Sequence, residues 1–431
     1  MPSIRSQRVL FPDGVRPGTI RFEEGTIVEV TQDMADLDFG DLVVLPGLVD
    51  SHVHVNEPGR TEWEGFTSAT RAAAAGGTTT IVDMPLNSIP PTVSVDAFEA
   101  KLEVTTGKLS VDVAFWGGLI PGSEPEVDGL VAAGVRGFKA FLVDSGVAEF
   151  PPMPLAQLVL VAPRLGELGV PLLVHAEEAD LLHELGSGVR NYSDYLDSRP
   201  IESEVSAVSS LAPLTTVGTR VHVLHVSSPE AADRIQAGAD SFTGETCPHY
   251  LTFAAETIAR GATAFKCAPP IRNSDQREGL WDALRSGALD MVVSDHSPAP
   301  ADLKEIETGD FARAWGGIGS LQLRLQAVWT GAVQRGVALV DLGRWLASEP
   351  ARLAGLEDSK GSIGVGKDAD LAIFDPDEMA VVVGSKLEHR HAITPYDGMQ
   401  LRGRVVATIL RGKTIYEDGQ IEPGLGRTIT T

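Results

Sequence analysis

Short apolar runs alternate with helix-like stretches through the middle of this 431-residue chain. The runs are LVDSHVH (48–54), TTIVDM (79–84), VDVAFWGG (111–118), GFKAF (137–141), PLLVHAE (171–177), VHVLHVSS (221–228), ATAFKCAPP (262–270) and LDMVVSDHSP (289–298). Between them lie segments with helical spacing, such as FTSATRAAAA, LAQLVLVAPRLGELG and SEVSAVSSLA. Strands separated by helices pair in parallel, because the crossover returns each strand to the same end of the sheet. Eight such units predict an α/β chain, a (β/α)8 TIM barrel whose active site lies at the C-terminal strand ends. An open doubly wound sheet is the competing arrangement, but no GxGxxG turn follows the first strand. The two ends of the chain read differently. Segments such as GTIRFEEGTIVEV and GRVVATILRGKTIYEDGQ are short strands punctuated by Gly, Asp and Pro. They predict one small β-sandwich domain built from residues 1–46 and 365–431, beside a catalytic barrel of 47–364.

Composition narrows the chemistry. The formal charge is −24, from 35 basic and 59 acidic residues, the opposite of a nucleic-acid-binding face. No run approaches the ~18 apolar residues of a membrane span. The start, MPSIRSQRVLFPDG, lacks an apolar signal core, which makes the cytoplasm the expected compartment. Only two cysteines occur, Cys247 and Cys267, so a metal site would rest on His, Asp or Glu. Lysines number nine, and their scarcity draws attention to one of them.

The candidate chemistry collects at the strand ends. In His52-Val53-His54 the alternation of a strand points both imidazoles to one face, half of a metal site. Read alone, the pair serves equally as two hydrogen-bonded histidines. Lys139 ends the fourth run between Phe138 and Phe141. It is either a snorkelling side chain or a buried amine whose pKa falls beside cations. Such an amine can add carbon dioxide to give a carbamate. His175 ends the fifth run, His225 the sixth and Asp295 the eighth. His222 faces away from His225 by strand parity and reads as structural. His296 reads as a support rather than a ligand. His52, His54, Lys139, His175, His225 and Asp295 together suit two divalent ions bridged by a carbamate, N6-carboxylysine at Lys139, and sharing a hydroxide. Asp295 would then act as the catalytic acid and base. Zinc suits this set best, with cobalt, manganese, nickel and iron as alternatives.

These residues resemble the amidohydrolase superfamily, and within it the cyclic amidohydrolases: dihydroorotases, dihydropyrimidinases or hydantoinases, and allantoinases. The resemblance runs from GLVDSHVHVNEPGR (47–60) to GKDADLAIFD (366–375). EPGRTEWEGF, DMPLNSIPPT, ETCPHYL, KCAPPIR, SDHSP, AWGGIGSLQ and EHRHAITPY, in that order, are most similar to the allantoinase branch. The resemblance implies two metal ions on the six residues above, opening of the hydantoin ring of allantoin, and a homotetramer. A hydantoin, a dihydropyrimidine or dihydroorotate is the alternative substrate. A non-catalytic scaffold is disfavoured because all six ligands are present. Candidate substrate contacts are Asn87, Ser297 and the backbones of Ala268 and Gly317. Asn87 could instead fix its own loop, and Ser297 could cap a helix. Arg60 would hold the ureido arm or, more simply, a loop carboxylate such as Glu62. His249 and Tyr250 are expected to line the mouth, and Cys247 and Cys267 to be small buried thiols.

Overall fold

The computed structural model describes residues 1–430. Parallel strands occupy the middle of the chain. Leu48–Val53, Thr78–Asp83 and Asp112–Phe115 form one sheet. Gly117–Gly118, Phe138–Phe141, Leu172–His175, Val221–Val223, Phe242–Thr246 and Met291–Val292 form a second. Only Trp116 separates Asp112–Phe115 from Gly117–Gly118, and its amide donates to Asp83 O at 3.0 Å. Nearly all strand residues are buried and many are β-branched, as expected of strands covered on both faces.

A ring of backbone hydrogen bonds runs around the C-terminal strand ends. Met84 N donates to Val53 O, Leu119 N to Lys139 O, Leu142 N to His175 O, Val226 N to Glu245 O and Val293 N to Thr246 O, all between 2.8 and 3.2 Å. His54 N donates to His296 O at 2.9 Å and Val53 bridges His296 in parallel, joining the last strand segment to the first. The expected helices are present as Phe66–Ala75, Leu155–Leu168 and Ile201–Leu211.

One expectation fails. The run 262–270 is not a strand; it holds a 3-10 turn, Thr263–Phe265, and then irregular backbone. The strand at that place in the order is Phe242–Thr246, pairing with Val221–Val223 on one side and Met291–Val292 on the other. Its sequence, FTGET, lacks an apolar run because Thr243 and Glu245 are polar. His222 Nδ1 lies 2.8 Å from Thr243 Oγ1, and Glu245 meets histidines beneath the site. Functional partners thus replaced the hydrophobic signal.

Strands from the two chain ends share a separate sheet. Ser3–Phe11, Gly14–Glu23, Thr26–Thr31 and Val43–Pro46 join Leu371–Val381, Gln400–Leu410, Lys413–Glu417 and Gln420–Ile421. The junction is the antiparallel register Leu371↔Pro46 to Phe374↔Val43. Ile4, Ile20, Ile27, Val44, Leu371 and Ile409 fill a core of its own. Among the described residues, no helix is long and apolar enough to cross a membrane.

Between this sheet and the parallel strands, Lys360 Nζ sits 2.7 Å from each of Asp112, Asp368 and Asp370. Burial pushes the lysine pKa down, but the three carboxylates outweigh it and hold the group above its ordinary value. Removing one partner of a buried ion network leaves uncompensated charge, at a cost of about 3–5 kcal/mol. Lys360→Met is therefore expected to lower unfolding free energy by about that amount in a denaturant titration. A loss under ~1 kcal/mol would show that the three aspartates do not depend on it.

Candidate metal centre and active site

Five elements deliver the chemistry to one place. His52 lies within the Leu48–Val53 strand and His54 just past its end; Lys139 and His175 lie in the strands Phe138–Phe141 and Leu172–His175. His225 and Asp295 lie beyond their strands, which end at Val223 and Val292, and both adopt positive φ (38° and 46°). Left-handed backbone is uncommon outside glycine and clusters at functional sites. Here it turns the two side chains inward, so strand parity does not govern His225.

The structure brings all six predicted groups together. Asp295 Oδ1 is 3.1 Å from His52 Nε2 and 3.6 Å from His54 Nε2. Lys139 Nζ is 3.3 Å from His52 Nε2. His175 Nδ1 is 3.0 Å from His225 Nε2, and the His175 ring stacks on Phe141. One nitrogen or oxygen from each of His52, His54 and Asp295 falls within 4.8 Å of the other two.

Buried carboxylates set the imidazoles. Glu245 Oε1 is 2.5 Å from His52 Nδ1, and Oε2 is 3.1 Å from His222 Nε2. The His225 amide donates to Glu245 Oε1 at 3.3 Å. The Glu245 carboxyl is fully buried, which by itself raises its pKa, yet the two histidines pull it down to about 2. A carboxylate only accepts, so His52 Nδ1 carries a proton, and Nε2 is the nitrogen turned toward Asp295, 3.1 Å away. Glu177 acts likewise on His175, 2.6 Å from Nε2, and Arg199 holds it through Nε and Nη2. Sequence reasoning missed Glu245, Glu177 and Arg199. The signal for the two glutamates was an acidic residue in or just past a buried strand end, at GETC and VHAE, where an unpaired charge is not tolerated; Arg199 carried no local signal.

The electrostatics call for a cation. His52 Nε2 faces a carboxylate oxygen, and His175 Nδ1 faces another imidazole nitrogen. His225 Nδ1 has no hydrogen-bond partner among the described residues. Burial, then Lys139, pushes His54 down to about 3, and burial, then His175, holds His225 well below its ordinary value. For His52 burial and Lys139 also pull down, but Asp295 and Glu245 outweigh them and raise it. Burial raises Asp295, yet its histidine contacts hold it well below the usual range, so it is ionised. Burial brings Lys139 down to about 8, against the pull of Asp295 and Glu245. The lowering comes from burial, as the sequence suggested, but not from the neighbouring cations that it also suggested. Four imidazoles, three of them with lowered pKa, one carboxylate and an amine brought down by burial form a donor set that fits divalent metal ions.

A cavity of about 530 Å³ opens over these groups. Asn87, Ala268 and Ser297 line it as expected, but Gly317 and Arg60 do not. Gly316 takes the place of Gly317, whose amide is occupied by Lys266 O at 2.9 Å. Arg60 pairs with Glu149, not Glu62, donates to Asn87 O, and stacks on Trp63. The Asn87 amide lies 3.4 Å from His54 Nδ1, so it also bears on which His54 nitrogen is protonated. His249 and Tyr250 are buried and do not line the mouth. The Tyr250 hydroxyl donates to Pro269 O, and His249 belongs to a Cys247–His249–Asp295 cluster. Both thiols are free and buried. His296 accepts from the Ser320 and Leu321 amides at Nδ1 and meets Glu64 through Nε2.

Parallel strands whose C-terminal ends carry histidines, a lysine and an aspartate define a metal-dependent hydrolase. The amidohydrolase family matches residues 43–415, and the chain belongs to it. The chain is similar to curated proteins named allantoinase. The Streptomyces avermitilis protein is 47% identical over 99% of this chain and 98% of its own length. That of Saccharomyces cerevisiae is 41% identical over 99% and 98%, and that of Escherichia coli 40% over 96% and 94%. Among solved structures, the L-hydantoinase (dihydropyrimidinase) of Arthrobacter aurescens superposes with a TM-score of 0.92 at 29% identity, each chain fully covered. The dihydropyrimidinase of Brevibacillus agri gives 0.87 at 26%, covering all of this chain and 98% of the other.

Glu245→Gln replaces an acceptor of His52 Nδ1–H with an amide that can present a donor instead. Metal affinity, read by titration of the metal-free protein, is expected to fall about 10–100-fold. An unchanged affinity would remove Glu245 from its orienting role.

Proposed function

We propose that this chain hydrolyses the cyclic amide of allantoin to allantoate. The observation that carries this reading is near-full-length identity of 40–47% to allantoinases from bacteria and yeast, on a chain that keeps all six candidate ligands. His52, His54, Lys139, His175, His225 and Asp295 would hold two divalent ions, zinc first among them, with Lys139 carboxylated. Bound ions would lower the pKa of water and polarise the ring carbonyl. Asp295, ionised and at the cavity floor, takes a proton from the attacking water and returns it to the leaving ring nitrogen. Asn87, Ser297 and the Ala268 backbone orient the planar ring by hydrogen bonds, and a ring lacking those partners is rejected. The scaffold is read as a closed eight-stranded barrel with its seam at Val53 and His296, carrying a small β-sandwich made from both chain ends. Its support is the circuit of hydrogen bonds at the strand ends and the shared core of the terminal strands.

Two measurements test the reading. Metal-reconstituted protein is assayed on allantoin, hydantoin, dihydrouracil and dihydroorotate; allantoin is expected to give the highest kcat/KM, and faster turnover of another ring would overturn the substrate. Lys139→Ala is expected to abolish metal-dependent turnover, and undiminished activity would refute the bridging lysine.

A further inference from the structure

The cavity lining carries two cations with donor capacity left over. Arg199 and Lys266 both line it. Arg199 gives Nε and Nη2 to Glu177, and its Nη1 has no partner among the described residues. Lys266 Nζ donates to Ala314 O at 2.6 Å and reaches Ala312 O at 3.5 Å. An ammonium has three N–H groups, so at least one remains for the cavity. The same Nζ stands 5.2 Å from the centroid of the Tyr195 ring, which also lines the cavity. The Tyr195 hydroxyl donates to Cys267 O at 2.6 Å, so the platform is fixed. Burial, and after it the charge of Arg199, lowers the Lys266 pKa to about 8. Two cations that repel each other across a cavity gain from an oxygen acceptor placed between them.

The ligand end of the cavity lies at the strand ends, whereas Lys266 and the Ala312–Ala314 segment belong to loops beyond them. With the ring amide engaged at Asp295, the substituent is the part of the molecule left to reach these donors. Glu177 already balances Arg199, and two carbonyls already engage Lys266. A strong neutral acceptor is enough to satisfy what remains.

We propose that Arg199, and Lys266 above the Tyr195 ring, bind the carbonyl oxygen of the ureido arm, and that Lys266 is a specificity-determining residue selecting a substituted ring over a bare one. The inference rests on the allantoin reading. Arg199 also positions His175 through Glu177, so the test falls on Lys266.

Allantoin turnover is measured for wild type, Lys266→Met and Lys266→Arg, with hydantoin and hydantoin-5-acetate as competitive inhibitors. Loss of one charge-assisted hydrogen bond raises KM for allantoin about 10–100-fold in Lys266→Met. The Ki of hydantoin, which has no arm, should shift at least tenfold less than that KM, and Lys266→Arg should recover most of the loss. Equal losses for both rings would mean that Lys266 only braces the loop, and an unchanged KM would mean that it does not touch substrate; either overturns the proposal while leaving allantoin hydrolysis standing. Hydantoin-5-acetate binding more tightly than allantoin would assign the pair to a carboxylate instead. Wild-type protein inactive on allantoin but active on another ring would overturn both readings together.

Discussion

A single buried carboxylate underlies the geometry of this site. Glu245 accepts from His52 Nδ1, His222 Nε2 and the His225 amide while fully buried. A buried charge is tolerated only when its lone pairs are met, and here meeting them fixes three things at once. It settles the tautomer of His52, locks the backbone turn at His225, and ties the Phe242–Thr246 strand to its neighbour. The parallel register, Val221↔Phe242 through Val223↔Gly244 and then Glu245↔Met291, brings the carboxylate under the floor. Glu177 repeats the device for His175 and Glu64 for His296. His52, His175 and His296 therefore each have one nitrogen committed to a carboxylate that aims the other, whereas His54 and His225 do not.

Two clusters of acidic and basic residues show why residue type alone does not make a metal site. Asp112, Asp368 and Asp370 come within ligand distance of one another. Lys360 Nζ already occupies their centre, 2.7 Å from all three. The group is a closed ion network that joins the terminal sheet to the parallel strands. Among the described residues no lysine or arginine pairs with Asp295 in the His52–His54–Asp295 cluster. Burial lowers the Lys139 pKa to about 8, and His52 Nε2 faces the carboxylate across 3.1 Å. The first cluster supplies cohesion and the second calls for a cation. The overall charge of −24 is a surface property spread along the chain, and a neutral ring gains nothing from it.

Much of the parallel-strand order was legible because buried strands need unbroken apolar runs, and the candidate ligands stood out as polar interruptions at the ends of those runs. The same rule concealed the strand Phe242–Thr246. Thr243 and Glu245 serve histidines, so FTGET carries no apolar run, while ATAFKCAPP reads as a strand though its prolines and lysine belong to a loop. Contacts depending on loop trajectory were the least legible. Arg60 found Glu149, distant in sequence, and Gly317 lost its amide to Lys266 O, leaving Gly316 at the cavity. His249 follows an ordinary pattern in PHYL, yet it lies buried near Asp295, with both ring nitrogens lacking partners among the described residues. Nothing in local spacing distinguishes these outcomes; they follow from how distant loops converge over the strand ends.

The central claim is that six residues form a two-metal site bridged by a carboxylated Lys139. The most direct measurement is the metal stoichiometry of metal-free protein reloaded with zinc in the presence and in the absence of bicarbonate. The account predicts two ions per chain with bicarbonate and fewer without it, with the difference lost in Lys139→Ala. One ion per chain under all conditions, or two ions bound regardless of bicarbonate and of Lys139, would contradict it.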